Sequence, residues 1–178
     1  MSQISVLRIP GSCALSEFRA ERLLKQLRGV CPAVQAVSGR YLHFVHISRD
    51  LTEDEAQRLA ALLDYGDPAD EKAGNLQFLV VPRLGTISPW ASKATDIVHN
   101  TGIDAVARVE RGGLYTLSVE GDVDQAAVAA LLHDRMTETV LAADADPAVL
   151  FSDVQGREMR TVDILAGGKE ALEAANGE

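Results

Sequence analysis

Sliding the chain 72 positions along itself lays Leu7 on Leu79, Pro10 on Pro82, Ser16 on Ser88, Ala33 on Ala105, Val34 on Val106, Val37 on Val109, Leu42 on Leu114, Asp50 on Asp122 and Leu59 on Leu131. The second half is a degenerate copy of the first, so the fold has to be one that a single unit can build twice. Two copies at this period do not make a solenoid, because each copy already spans several elements. A duplicated α/β unit with pseudo-twofold symmetry is the physical alternative. The halves cover about residues 4–66 and 76–138 of a duplicated domain of residues 1–143, and residues 144–178 read as a linker and the start of the next region.

Within the first copy, Ser5 to Ile9 reads as a strand that Gly11-Ser12 breaks, and Ser16 opens a helix with Ala20, Leu23, Leu24 and Leu27 on one face. Gly29 to Pro32 ends that helix. Val34 to Ser38 and Arg40 to Ile47 read as two strands around Gly39, a hairpin. Thr52-Glu53-Asp54-Glu55 is a capping box, in which hydroxyl and carboxylate each satisfy a free amide, and it starts a helix carrying Ala56, Leu59, Ala60, Leu62 and Leu63. The expected unit is therefore β-α-β-β-α. Duplicated, with helices packed on antiparallel sheets, it belongs to the α+β class on a ferredoxin-like plan.

In the strand after Gly39 the repeat pairs His43/Tyr115, Val45/Leu117 and Ile47/Val119 form one inward face. The opposite face reads Leu42, Phe44, His46 in the first copy and Leu114, Thr116, Ser118 in the second, so the first-copy strand is expected to be covered on both sides, with His43 a hydrogen-bonded core residue. Beyond the second copy, Thr137 to Ala142 suits a last strand, Pro147 to Phe151 a short helix, Ser152 to Arg160 a polar linker and Ile164 to Ala175 a helix with little to pack against. A chain that stops just after starting a new element reads as a fragment.

The repeat fails in one place. The apolar face Ala20, Leu23, Leu24, Leu27 maps at +72 onto Ser92, Thr95, Asp96 and His99, all polar, whereas +74 gives Ala94, Ile97, Val98 and Thr101. The loop after Pro82 is accordingly expected to be longer by about two residues, with Trp90, Ala94, Ile97, Val98 and Thr101 as the core face of the helix that follows. Ser88 can cap that helix with Pro89 at its first position, or Ser92 can cap a later start. Departures from a duplicated scaffold are where function tends to be grafted.

Two readings of the stretch 82–100 stand side by side. A capped amphipathic helix after a tight loop needs Ser, Pro and Gly for backbone reasons alone, with Trp90 as core, and Lys93 and Asp96 at i and i+3 as a surface ion pair. Alternatively Arg83, Thr86, Ser88, Trp90, Ser92 and Lys93, beside free helix N–H groups, suit an anion or the polar surface of another domain, with His99 on the helix's outer face the one candidate base near neutral pH. No catalytic residue, cofactor or metal site is assigned to the chain. Cys13 and Cys31 lack the spacing of metal ligands or redox pairs and read as reduced structural thiols.

Bulk properties narrow the function classes. Of 178 residues, 47% are apolar and 4% aromatic, which is normal for a folded globular core, and the net charge of −9 repels nucleic acid and anionic membranes. No apolar run approaches the roughly 18 residues of a membrane span, and the N-terminus lacks the layout of a signal peptide, so a cytoplasmic location is expected.

Pro82-Arg83-x-Gly85-Thr86-x-Ser88-Pro89-Trp90-x-Ser92-Lys93-Ala94-Thr95-Asp96-Ile97, with His99-Asn100 after it, resembles the N-terminal region of the large, single-chain phosphoribosylformylglycinamidine synthases (formylglycinamide ribonucleotide amidotransferases) of purine biosynthesis. The similarity extends through Gly11 to Ser16, Leu132 to Glu138 and Val162 to Leu165. Such enzymes join an N-terminal domain, a linker, an ATP-dependent synthetase and a glutaminase. The N-terminal domain resembles a fused pair of a small stand-alone subunit, which matches the repeat. The resemblance implies a non-catalytic domain bridging the glutaminase and synthetase domains of one polypeptide, with ATP, magnesium and the glutaminase triad held elsewhere. The rival reading is a stand-alone ferredoxin-like module that binds a ligand or regulates.

Overall fold

The computed structural model of the chain describes residues 5–69, 73–152, 159 and 161–176. In chain order its elements are β1 (Ser5–Cys13), α1 (Glu17–Val30), β2 (Val34–Ile47), α2 (Glu53–Leu63), β3 (Leu76–Pro82), α3 (Pro89–Asn100), β4 (Val106–Val119), α4 (Gln125–Leu132), β5 (Glu138–Leu141), a 3-10 turn (Pro147–Phe151) and α5 (Ile164–Asn176). The five strands form one antiparallel sheet in the order β1-β2-β4-β3-β5. The class is α+β and ferredoxin-like, as the sequence implies, with a single sheet shared by both copies.

The duplication is visible in the element bounds. β2 and β4 begin and end 72 positions apart, as do the starts of α1 and α3 and of α2 and α4. Across the β2–β4 ladder Tyr41 faces Gly113, its own repeat partner, while Arg40 faces Leu114 and Leu42 faces Gly112, which the repeat exchanges. The pseudo-twofold axis therefore passes between Tyr41 and Gly113.

That placement makes each core a joint product of the two copies. One core sets Leu27 of α1 beside Val128 and Leu132 of α4, over Val34 and Val37 of β2 and Leu117 and Val119 of β4. The other sets Leu59 and Leu63 of α2 beside Val98 of α3, over Val45, Ile47, Val106 and Val109. On the sheet's opposite face Leu42, Phe44, Leu79 and Val81 are covered by Leu150 and Phe151 of the 3-10 turn. The first-copy strand is thus covered on both sides, as expected. Burial of apolar surface at roughly 25 cal/mol per Å² drives all three contacts.

The capping box is present as read: Thr52 accepts from the Glu55 N–H, and the Glu55 carboxylate accepts from the Thr52 N–H at 2.9 Å and takes the fork of Arg49 at 2.7 and 2.9 Å. The Arg49 fork holds the Glu55 carboxyl down at about 2. The last strand, the 3-10 turn and the final helix also fall where the sequence places them. No residue of α5 is buried. Most of the expected linker, residues 153–158 and 160, lies outside the described residues.

Two expectations are corrected. Residues 34–47 form one continuous strand rather than a hairpin around Gly39, and 106–119 do the same, so the unit is β-α-β-α. Gly39 serves a close approach instead of a turn: a Cβ there would sit 3.2 Å from Leu15 and 3.3 Å from Tyr115. The second correction concerns the loop after Pro82, which is not lengthened. Ser88 caps α3 with its hydroxyl accepting from the Ala91 N–H, at the repeat partner of Ser16, and Ser92 does not cap. The inward residues of α3 are Ala91, Ala94, Thr95 and Val98, one position earlier than the repeat would give, and Ile97 is 53% exposed. Thr95 can face inward because its hydroxyl accepts from the Val109 N–H at 3.0 Å, and the helix turns by one residue, roughly 100°, to seat it.

Candidate functional site

The stretch 82–100 is tied down from within. β3 ends where Pro82 pairs with Glu138, and the Arg83 N–H donates to the Thr137 carbonyl at 2.9 Å. The chain then turns through Leu84 and Gly85, whose φ of +77° only glycine adopts freely, and closes with the Thr86 N–H and hydroxyl both donating to the Arg83 carbonyl at 3.1 and 2.5 Å. Pro89 sits at the first helical position, where no amide is missed.

The helix start faces an anion that the fold itself provides. Glu110, 1% exposed, accepts from the Ser88 hydroxyl at 2.9 Å and lies 3.4 Å from the Ser88 N–H. Arg108 approaches the same carboxylate at 3.6 Å, donates to the Leu150 carbonyl, and lies 4.7 Å from the centre of the Phe151 ring. Burial pushes the Glu110 carboxyl up, against the pull of Ser88 and Arg108. An external anion is therefore not required to satisfy the positive end of α3. The same contacts lock the loop to the 3-10 turn across a small cleft of about 180 Å³.

At the second residue of α3, Trp90 stacks on His43 with ring centres 5.6 Å apart and 27° between planes. His43 is fully buried, and its Nε2 pairs with the Tyr65 hydroxyl at 2.8 Å. Burial, with the nearby Arg111 charge, pushes the imidazole down to about 4, so it is neutral near pH 7. Gly11 makes the room: a Cβ there would lie 2.5 Å from the His43 ring. Arg111 sits 4.2 Å from the Tyr41 ring centre and 4.7 Å from that of Trp90, and donates to the Tyr65 hydroxyl at 3.2 Å.

The candidates singled out from sequence do not converge on one point. Ser88 and Trp90 are half-buried and committed to Glu110 and His43. Arg83 and Thr86 are exposed on the loop, and Ser92 and Lys93 on the first turns of α3, where the Ser92 hydroxyl lies 3.5 Å from the Ser88 carbonyl. The expected Lys93–Asp96 ion pair does not form: Lys93 has no hydrogen-bond or ion-pair partner among the described residues. His99 lies near the far end of the helix, about 15 Å along it from Pro89 at 1.5 Å per residue, and its Nε2 donates to the Val106 carbonyl at 2.6 Å. That contact ties α3 to β4, and the residue is exposed on the helix's outer face, as the sequence reading has it.

Arg108, Glu110 and Arg111 were not singled out from the sequence. The signal was there, because Glu110-Arg111 stand at the repeat positions of Ser38-Gly39, two charges where the first copy is small. Among the described residues no three His, Cys, Asp or Glu side chains converge as metal ligands, and no helix is long and apolar enough to cross a membrane.

Fold and loop together define a class: a duplicated ferredoxin-like scaffold that presents an internally braced polar loop. The family model described as the N-terminal region of formylglycinamide ribonucleotide amidotransferase matches residues 40–151, well over half of the chain. The chain belongs to that family, and hence to an amidotransferase of purine biosynthesis.

Proposed function

We propose that this chain is the non-catalytic domain that bridges the glutaminase and synthetase domains of a cytoplasmic phosphoribosylformylglycinamidine synthase, docking on them through the loop 83–88 and the outer face of α3. The observation that carries the reading is a mismatch between the two sides of the loop. Its backbone and Ser88 are held by five internal hydrogen bonds at Arg83, Thr86, Ser88 and Ala91. Its outward side chains have nothing to hold: Ile87 is 59% exposed, and Arg83 and Lys93 have no partner among the described residues. The Arg83–Thr137 bond brings the adjoining turn alongside, where Met136 is 75% exposed. A rigid surface with unpaired cations and isolated large apolar side chains suits a domain interface better than a solvated loop.

On this reading ATP, magnesium and glutamine hydrolysis belong to other parts of the polypeptide, and the chain alone turns over neither glutamine nor ATP. Cys13 donates its thiol to the Leu15 carbonyl, and Cys31 is buried in the core over α1 and α4, so neither sulfur stands beside a base. Docking contacts position a partner domain and leave the chemistry to it. In the full-length enzyme, Arg83→Ala with Lys93→Ala is therefore expected to reduce glutamine-dependent synthesis more than synthesis driven by added ammonia. Equal loss with both nitrogen sources would point to substrate binding by the loop, and no loss with either would remove its role.

A further inference from the structure

We propose that Arg111, packed against the Tyr41 and Trp90 rings beside the pseudo-twofold axis, is the centre of a binding site for an oxyanion, a carboxylate or a phosphate. The guanidinium carbon lies 4.2 Å from the Tyr41 ring centre and 4.7 Å from that of Trp90. Among the described residues one of its N–H groups is engaged, with the Tyr65 hydroxyl at 3.2 Å. The remaining edge is the part of an arginine that recognises a planar carboxylate or a phosphate through two parallel hydrogen bonds. Contact with two aromatic rings and the Tyr65 hydroxyl restricts the side-chain freedom that binding otherwise has to quench, so the fork is preorganised.

The charge around it is unbalanced in the direction an anion would correct. Arg108 has Glu110 and Arg49 has Glu55, whereas no carboxylate pairs with Arg111 among the described residues, on a chain whose net charge is −9. Its neighbour across the ladder is His43, neutral near pH 7. Tyr41, Tyr65, Trp90 and Arg111 are each half-buried, so the cluster reaches solvent.

Comparison of the two copies separates this site from a packing requirement. The repeat partner of Arg111 is Gly39, and that of Trp90 is Phe18, 73% exposed. At Gly39 the space is filled by Leu15 and Tyr115. The fold thus completes the corner at Gly39 with a leucine and a tyrosine and no charged side chain among these neighbours. An arginine packed on two aromatic rings in the second copy only is an addition to the scaffold.

Trp90 is the sole tryptophan of the chain, so its emission reports on this cluster directly. The 178-residue chain is titrated with inorganic phosphate and, separately, with acetate, ionic strength being held constant with sodium chloride. A saturable emission change is expected, lost in Arg111→Gln and about tenfold weaker in Arg111→Lys, which keeps the charge but not the fork. Arg83→Ala, outside the cluster, is expected to titrate as the unmodified chain does. A response to phosphate alone assigns the site to phosphate esters; a response to acetate as well assigns it to carboxylates. An emission change that sodium chloride reproduces, or an Arg111→Lys variant that titrates like the unmodified chain, overturns the proposal. Arg111→Lys, the milder replacement, keeps the test decisive if Arg111→Gln fails to fold.

Discussion

His43 shows how much one buried residue can set. It lies in a ladder position that the first copy shares with Tyr115 in the second, covered by Trp90 on one side and edge-on to Tyr65. Because its pKa in the folded chain is about 4 against an ordinary 6.5, the unfolded chain takes up a proton as the pH falls through that window and the folded chain does not. Stability is therefore unaffected above about pH 6.5 and falls as the pH drops from there towards 4, by up to about 3 kcal/mol at roughly 1.4 kcal/mol per unit. His43→Gln should flatten this slope, which urea midpoints measured across the window for both proteins would show. An unchanged slope would mean that other groups carry it. At the start of α3, Ser88→Ala removes a cap and strands the Glu110 carboxylate, and a loss of about 2 kcal/mol in chemical unfolding is expected. Trp90→Ala, at a half-buried position, should cost about 3 kcal/mol.

At the level of elements, the sequence is most informative where periodicity and caps agree. Thr52 and Ser88 as caps, the helices they open, the inward alternation of Val45, Ile47 and their repeat partners, and the final strand are all legible from spacing. Gly39 and the face of α3 are not, for different reasons. A glycine that permits a neighbour's close approach looks in sequence like one that permits a turn, and only Leu15, brought from before α1, distinguishes them. The face of α3 depends on Thr95 finding the Val109 amide, a hydrogen bond across elements that an apolar pattern cannot encode. The candidate site was legible as a loop but not as a network, because Glu110 and Arg108 reach it from β4. One consequence belongs to this scale. Since each of the two helix-covered cores pairs a helix of one copy with a helix of the other, residues 5–68 alone keep only half of each and should lack cooperative thermal unfolding. A sharp melting transition in that fragment would contradict the joint-core account.

For the molecule as a whole, the duplicated sheet provides stiffness and the second copy provides what differs. Glu110, Arg111 and Trp90 all stand where the first copy carries Ser38, Gly39 and Phe18, so these differences between the copies fall on one side of the pseudo-twofold axis. In the proposed docking, Arg83 and Lys93, whose side chains have no partner among the described residues, would meet a local acidic or carbonyl-rich surface on a neighbouring domain. The measurement that tests this most directly is amide hydrogen exchange of the segment 83–88 in the full-length enzyme and in the 178-residue chain. Docking predicts that these amides exchange more slowly in the full-length enzyme, while the buried Ala91 and Val98 of α3 exchange alike in both. Equal exchange of the segment 83–88 in the two proteins would contradict the docking account.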